Sequence, residues 1–302
     1  MLLDTAALYF RAFHGLPETI TAPDGTPVNA VRGLLDIIAR LVAEFEPTHL
    51  VACWDDAWRP AWRVELVPSY KAQRIAEPGD GDRPDREEVP EALTAQVPMV
   101  VEVLQALGVA RVGVPDHEAD DVIGTLAATA TIPVDVVTSD RDLFQVIDDD
   151  RAVRVVSTAK GMRNLEAVTD QVLQDRYGVR AAQYAEFATL RGDPSDGLPG
   201  VAGIGEKTAA TLLLRFGDLE GVLEAATTTS SGIAAGQAAK LRAGAEYARR
   251  ALPAVRVVTD LPVPEVDTAI GLTDERRAAA QELAERWDLG RSMERVLAAL
   301  DR

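Results

Sequence analysis

The sequence predicts an α/β protein, with a parallel central sheet flanked by helices and a mostly helical C-terminal region. Three observations carry this expectation. Short apolar runs of strand length recur through the first half, helical patterns lie between them, and from about Val168 the strand-like runs stop.

The runs fall at residues 1–3, 50–54, 109–114, 134–138 and 153–156. Several are β-branched and mostly uncharged, as strands covered on both faces tend to be. Thr26 and Pro27 read as N-cap and first residue of a helix whose apolar face is Val28, Val31, Leu34, Leu35, Ile38, Leu41, Val42 and Phe45. Val97, Val100, Val101, Leu104 and Leu107 repeat that spacing, and Gly108 stands where a left-handed C-cap is wanted. The domain boundary is expected at 167/168, with polar interruptions of the helical half at 192–205 and 227–236. An earlier interruption, 77–91, holds seven acids and two arginines (2 − 7 = −5) with Pro78, Gly79, Gly81, Pro84 and Pro90. It is expected to be mobile or extended.

Composition narrows the chemistry. With 31 Lys plus Arg against 48 Asp plus Glu, the net charge of −17 excludes a uniformly basic nucleic-acid coat. The single cysteine, Cys53, forms no internal disulfide, and His14, His49 and His117 are too few for a Cys/His zinc cluster. Any metal has to be held by oxygen. No cationic leader pattern and no run of about 20 apolar residues is present, so a soluble, cytoplasmic protein without a membrane partner is expected.

The acids themselves are the main signal. Asp4 follows the first strand, Asp55 and Asp56 the second, Glu118, Asp120 and Asp121 the third, and Asp140 and Asp142 the fourth. Carboxyl ends of parallel strands share one edge, where open α/β sheets bind ligands. An isolated aspartate reads as an N-cap or a surface charge, but repetition after four strands weighs against that. Clustered carboxylates resist ionisation without a cation, and their oxygens suit Mg²⁺ or Mn²⁺. Two such ions about 3.5–4 Å apart stabilise the attacking and leaving oxygens of a phosphodiester displacement, which makes phosphoryl hydrolysis the leading chemistry. If Glu118 begins a helix, Glu118 and Asp121 share one face at i, i+3 spacing.

A second device spans Gly192 to Ala209. Its glycines allow close backbone approach, and a helix starting near Glu206 aims free N–H groups at a phosphate. It lacks the GKS/T order of a nucleotide P-loop. Asp193 and Asp196 precede the turn and are placed to reach the acidic cluster.

These residues carry a resemblance. Leu2-Leu3-Asp4 with Phe10-Arg11-Ala12-Phe13-His14, Asp56-Ala57 with Arg63 and Tyr70-Lys71-Ala72-Gln73-Arg74, Val114-Pro115 with Glu118-Ala119-Asp120-Asp121-Val122, Thr138-Ser139-Asp140-Arg141-Asp142, and the Gly192 to Ala209 turn are similar to motifs of the 5′-nuclease family. That is the flap endonuclease and 5′-3′ exonuclease group which includes the N-terminal domain of bacterial DNA polymerase I. The resemblance spans nearly the whole chain, ends about where a fused polymerase would begin, and so implies a stand-alone protein with a PIN-like sheet domain.

The resemblance implies one metal site around Asp4, Asp56, Glu118, Asp120 and Asp121 and a second around Asp140, Asp142, Asp193 and Asp196. Counting back from Tyr70-Lys71 without a gap selects Asp56 over Asp55. Lys71 and Arg74 resemble cations at the base of an arch, about residues 71–95, that meet the scissile phosphate; with Asp120 and Asp142 they form the implied catalytic set. The turn resembles a helix-three-turn-helix, about 185–216, holding the duplex backbone through Gly203, Gly205, Lys207 and Thr208, with K⁺ assisting. For Arg11 a phosphate contact and a surface salt bridge stay open, as do core packing and base stacking for Trp54, Trp58 and Trp62. Lys71, Arg74, Arg191, Lys207 and Arg215 make a local cationic track despite the net acidity.

The implied function is metal-dependent cleavage of DNA with 5′ ends, flaps, nicks or gaps to 5′-phosphate products in replication and repair, by a monomer with a DNA polymerase as candidate partner. Rivals are a non-catalytic DNA-binding or replication-accessory protein on the same fold, and an acidic-pocket phosphatase, against which Ala6 speaks because a second aspartate is wanted there. Two departures stand out: Gly197 replaces the usual Asn, and Arg141 the usual Lys.

Overall fold

A computed structural model describes residues 1–80 and 83–301; Gly81 and Asp82 of the acidic interruption lie outside the described residues. The first strand, β1 (Leu2–Asp4), runs straight into α1 (Thr5–Gly15) with Asp4 as its N-cap. The following helix, α2 (Asn29–Phe45), begins two residues later than the Thr26-Pro27 signal predicted. Pro27 instead bridges Thr21, and the open Ala30 N–H is met at 2.8 Å by Oε1 of Gln96, a cap from 66 residues away that no local pattern announces.

Next come β2 (Val51–Cys53), α3 (Ala61–Leu66), the antiparallel pair β3 (Ile75–Glu77) and β4 (Arg86–Glu87), α4 (Glu91–Thr94) and α5 (Val97–Leu107). Gly108 closes α5 at φ 70°, the left-handed cap expected there. Then follow β5 (Ala110–Val112), α6 (Ala119–Thr129), β6 (Val134–Thr138), β7 (Val153–Ser157) and β8 (Glu166–Val168). The rest is helical: α7 (Asp170–Tyr177), α8 (Tyr184–Arg191), α9 (Glu206–Phe216), α10 (Leu219–Ala225), α11 (Ala235–Val255), α12 (Asp274–Arg286) and α13 (Gly290–Leu300).

The main sheet has the order β5-β2-β1-β6-β7-β8, all parallel except β8, an antiparallel edge strand the sequence pattern had not indicated. From β1 the chain winds outward through β2 and β5, then crosses back to β6 on the other side of β1. The carboxyl ends of β1 and β6 therefore flank the point where the winding reverses, which is where such sheets open a crevice.

Alternation along the strands splits the core in two. Leu2, Val136 and Val155 pack with α6 and with Phe187, Leu190, Leu212 and Leu241 of the helical half. Leu3, Val137 and Val156 pack with α2 and α5 on the opposite face. That second face is completed by Leu283, Met293, Val296, Leu297 and Leu300, so α12 and α13 leave the helical half and return to the sheet, tied by Arg295 to Asp36 at 2.6 Å. Among the described residues no helix is long and apolar enough to cross a membrane.

Candidate active site

The acids meet where the winding reverses. Asp4 is 6 % exposed; one of its oxygens accepts from the Ala7 N–H at 3.3 Å, capping α1, and the other from Thr138 Oγ1 at 2.6 Å. Thr138 Oγ1 accepts from the Asp140 N–H at 2.9 Å, and Asp140 Oδ1 from the Asp142 N–H at 2.8 Å, so successive turns of backbone after β6 feed their acids toward β1. From β2, Asp55 accepts the Ala119 N–H at 2.8 Å, which brings it to the start of α6 beside Glu118 and Asp120. Asp4, Asp55, Glu118, Asp120, Asp140 and Asp193 line one cleft of about 950 Å³, together with Lys71, Arg74 and Arg11.

Their protonation reflects the crowding. Burial pushes Asp4 up to about 7, with Asp55 and Asp140 adding to it against the Thr138 hydrogen bond. Burial also drives Asp120 and Asp142 well above the usual carboxylate range, reinforced in both by Asp140. Asp55 and Asp196 are raised by burial too. Glu118 goes the other way: burial works to raise it, but Lys71 and then Arg63 overcome that and hold it ionised.

This donor set fits hard divalent cations: it is all oxygen, its members suppress one another's charge, and the buried Asp142 Oδ1 has no hydrogen-bond partner. Among the described residues no three acid, cysteine or histidine side chains are already closed around one point. The fit rests on the chemistry of the donors, carboxylate oxygens whose mutual repulsion a divalent cation relieves.

A pH dependence follows. Asp4 stands higher in the folded chain than in the unfolded one, so the stability it contributes is fully present below the unfolded value and is lost as pH rises through about 7. Glu118, held low, acts only below its own unfolded value, outside that window. Metal-free protein is therefore expected to melt lower at about pH 8.5 than at about pH 5.5, with Mg²⁺ or Mn²⁺ removing most of the difference. Melting curves with and without EDTA test this; a melting temperature that does not fall with pH would contradict it.

Two expected metal ligands stand apart from the inner acids. Asp56 lines the cleft from its exposed rim, with its carboxylate packed on Gly113, while its neighbour Asp55 lies deeper, on the Ala119 N–H. Asp121 is fully buried and faces away from the cleft: its oxygens accept from Arg63 Nη2 at 2.7 Å, Arg63 Nη1 at 3.0 Å, the Val258 N–H at 2.9 Å and the Glu118 N–H at 3.3 Å. Glu118 and Asp121 do share a helix face, as the N-cap and third residue of α6, but that face is shared with Arg63.

The 69–74 segment and the acidic loop of the helical half are joined. Lys71 pairs with Glu118, its N–H donates to Asp196 O at 3.0 Å, Gln73 reaches Ser195 O at 2.6 Å, and Arg74 pairs with Asp196 at 2.7 Å. Ser69 Oγ donates to Gly197 O at 2.6 Å. Asp193, paired with Arg191 at 3.2 Å, lines the cleft, whereas Asp142 and Asp196 stand behind its lining. In the segment expected to be mobile or extended, the described residues are tethered: β3 pairs antiparallel with β4, and Asp85 is held by Trp58 Nε1 on its carbonyl at 3.1 Å and by the Arg59–Asp85 pair. Trp62 Nε1 is taken by Asp116 O at 3.2 Å, so it packs; Trp54 and Trp58 keep a face on the cleft. Arg11 also faces the cleft, and its buried Nε has no hydrogen-bond partner among the described residues.

Between α8 and α9 the chain turns through Gly200 and Gly203 at φ 67° and 75°, and Gly205 starts α9 with no side-chain acceptor on its first N–H groups. Gly203, Gly205 and Lys207 are exposed and Thr208 is half-buried, away from the cleft.

Comparison with known proteins agrees with this geometry. Residues 1–178 match the sequence profile of the 5′-3′ exonuclease N-terminal resolvase-like domain, and residues 179–277 that of the 5′-3′ exonuclease C-terminal SAM fold. The chain belongs to the 5′-3′ exonuclease family. It is 55 % identical to a 5′-3′ exonuclease of Streptomyces coelicolor over 99 % of both chains, and 48 % identical to one of Mycobacterium tuberculosis over 100 % of this chain and 97 % of that protein. DNA polymerase I of Thermus thermophilus is 36 % identical, covering 96 % of this chain but 32 % of its own length. The fold matches the T5 D15 protein co-crystallised with metal ions, with a TM-score of 0.64 at 18 % identity over 100 % of this chain and 99 % of that one. It also matches the catalytic core of Rad2 in complex with a DNA substrate, with a TM-score of 0.60 at 14 % identity over 99 % and 91 %.

Within this 5′-3′ exonuclease framework, sequence reasoning missed the inward role of Asp55, the buried pairing of Arg63, and the hydroxyls of Tyr70 and Thr138. Tyr70 donates to Glu118 Oε2 at 2.7 Å. Asp55 had a visible signal as half of an Asp-Asp pair, and Arg63 stood in a matched motif; the two hydroxyls had none.

Proposed function

We propose that this chain is a divalent-metal-dependent, structure-specific 5′ nuclease acting as 5′-3′ exonuclease and flap endonuclease on DNA with 5′ ends, flaps, nicks or gaps. The observation that carries this is the ring of buried acids at the reversal of the sheet, flanked by Lys71, Arg74 and Arg11. Asp4, Asp55, Glu118 and Asp120 would hold one Mg²⁺ or Mn²⁺, and Asp140, Asp142, Asp193 and Asp196 a second. Held by these acids, such ions would supply a polarised water and would offset the charge of the reacting phosphate. Lys71 and Arg74 orient the scissile phosphate from the arch base, and Arg11 meets the neighbouring one. Products carry a 5′-phosphate, and no covalent enzyme intermediate is needed.

Duplex is gripped at the α8–α9 turn by Gly203, Gly205, Lys207 and Thr208, where K⁺ would assist. Those contacts are to backbone, so selection is by DNA structure rather than sequence. Lys207→Ala is expected to weaken duplex binding and to reduce the salt slope by about 0.9. Titrations at several salt concentrations check it, and an unchanged slope removes Lys207 from the interface.

The testing experiment uses a 5′-labelled and an internally labelled flap with Mn²⁺ or Mg²⁺ and an EDTA control. An intact flap oligonucleotide establishes endonuclease action, and mononucleotides alone establish an exonuclease. No metal-dependent product would overturn the assignment in favour of a DNA-binding accessory protein.

A further inference from the structure

Arg63 is 2 % exposed, on the short helix α3, and spends every donor. Nη1 and Nη2 hold Asp121 at 3.0 and 2.7 Å, Nη1 also holds Glu118, and Nε donates to Ala254 O at 2.9 Å. Its plane is covered by Trp62, 4.6 Å from the ring centre. Ala254 lies in the last turn of α11, the long helix of the helical half, and Asp121 accepts in addition from the Val258 N–H just beyond it. A fully buried arginine of this kind is retained only if its charge is matched, and here it is matched by two acids of which only Glu118 reaches the cleft.

We propose that Arg63 and Asp121 form a buried strut that positions Glu118 and fastens it to the C-terminal end of α11, so that Asp121 acts through Arg63 and is not itself a metal ligand. The inference rests on reading the cleft as a divalent-metal site. Arg63 divides its charge between the two acids: Asp121 takes the forked, two-nitrogen side, leaving Glu118 one guanidinium nitrogen, Tyr70 and Lys71. Removing the Asp121 charge throws the whole guanidinium onto Glu118 and turns that carboxylate out of its working alignment while leaving it in the cleft. The effect belongs to the chemical step, since the α8–α9 turn that grips duplex is untouched.

The test compares Asp121→Asn, Arg63→Lys and Glu118→Gln with wild type, using direct Mn²⁺ binding by calorimetry on the DNA-free protein, duplex binding in EDTA, and kcat and KM at saturating metal. Asp121→Asn is expected to bind the wild-type number of Mn²⁺ ions within about threefold of wild-type affinity, with kcat down about tenfold to a hundredfold and KM little changed, whereas Glu118→Gln loses at least about tenfold in Mn²⁺ affinity. Arg63→Lys, which can satisfy one acid but not both, is expected to keep duplex binding and to share the kcat loss. Loss of an ion in Asp121→Asn, or full activity in both strut variants, overturns the proposal. If Asp121→Asn fails to bind duplex, Arg63→Lys decides alone: wild-type kcat overturns the strut, and a kcat loss with unchanged Mn²⁺ binding upholds it. Wild-type protein that binds no Mn²⁺ would instead overturn the metal-site reading beneath it.

Discussion

Asp120→Asn is expected to lower cleavage about a thousandfold or more while leaving metal-free duplex binding intact. The carboxylate lines the cleft and is pressed by Asp140, Asp4 and Glu118, a repulsion that Lys71 offsets only in part. A cation that depends on it supplies several kcal/mol of transition-state charge stabilisation, and about 4 kcal/mol is already a thousandfold. The duplex grip proposed at the start of α9 does not involve this residue, and an amide of the same shape costs the fold little. Its neighbour gives the contrast: Asp121, one position on, points into the strut, and its Asn variant should retain measurable turnover. Single-turnover cleavage and filter binding on the two variants separate them; near-wild-type turnover in Asp120→Asn would refute its placement at the reacting centre.

The second large effect is on the joint between the halves. Gly197 sits at φ 68°, and a Cβ there would come 2.0 Å from Ser69 O, a backbone atom that cannot swing aside. Left-handed backbone costs a residue with a side chain about 1–2 kcal/mol, and relieving the overlap adds about 1–3 kcal/mol. Gly197→Ala is thus expected to lower the melting temperature by about 5–10 °C. Because Ser69 leads directly into Lys71, the same displacement should cut kcat about tenfold or more through misplaced cations. Gly25→Ala is the control: its φ is 89°, but a Cβ there meets nothing within 4 Å, so it carries the backbone cost without the overlap. Equal melting temperatures for the two variants, with full activity, would show that the 69–74 segment does not bear on residue 197.

Much of this architecture was legible because its signals are local. Runs such as 134–138 are apolar over a strand's length, and Gly108 and Gly205 punctuate helices where local geometry demands it. Acids following successive strands were readable for the same reason, since strand ends and their first loop residues are adjacent in sequence. What was not legible is set by distant partners. The start of α2 depends on Gln96, the direction of Asp121 on Arg63 and Val258, and the tethering of Asp85 on Trp58 and Arg59. The Asp55 and Asp56 ambiguity is of a third kind: both follow β2, and only the Ala119 N–H, unseen in the sequence, turns Asp55 inward.

The return of α12 and α13 to the sheet bears on how the chain is made. The outer face of α2 is sealed by residues of α13, and the Asp36 to Arg295 contact spans 259 positions. Closing so long a loop is slow, and chains dominated by such distant contacts fold late. On a ribosome the sheet layer would emerge, meet its own strands, and then wait with α2 and α5 uncovered until α13 had been made. A cut between α11 and α12 would therefore release no self-sufficient sheet unit, and the interval before α13 arrives is when this chain most needs a chaperone.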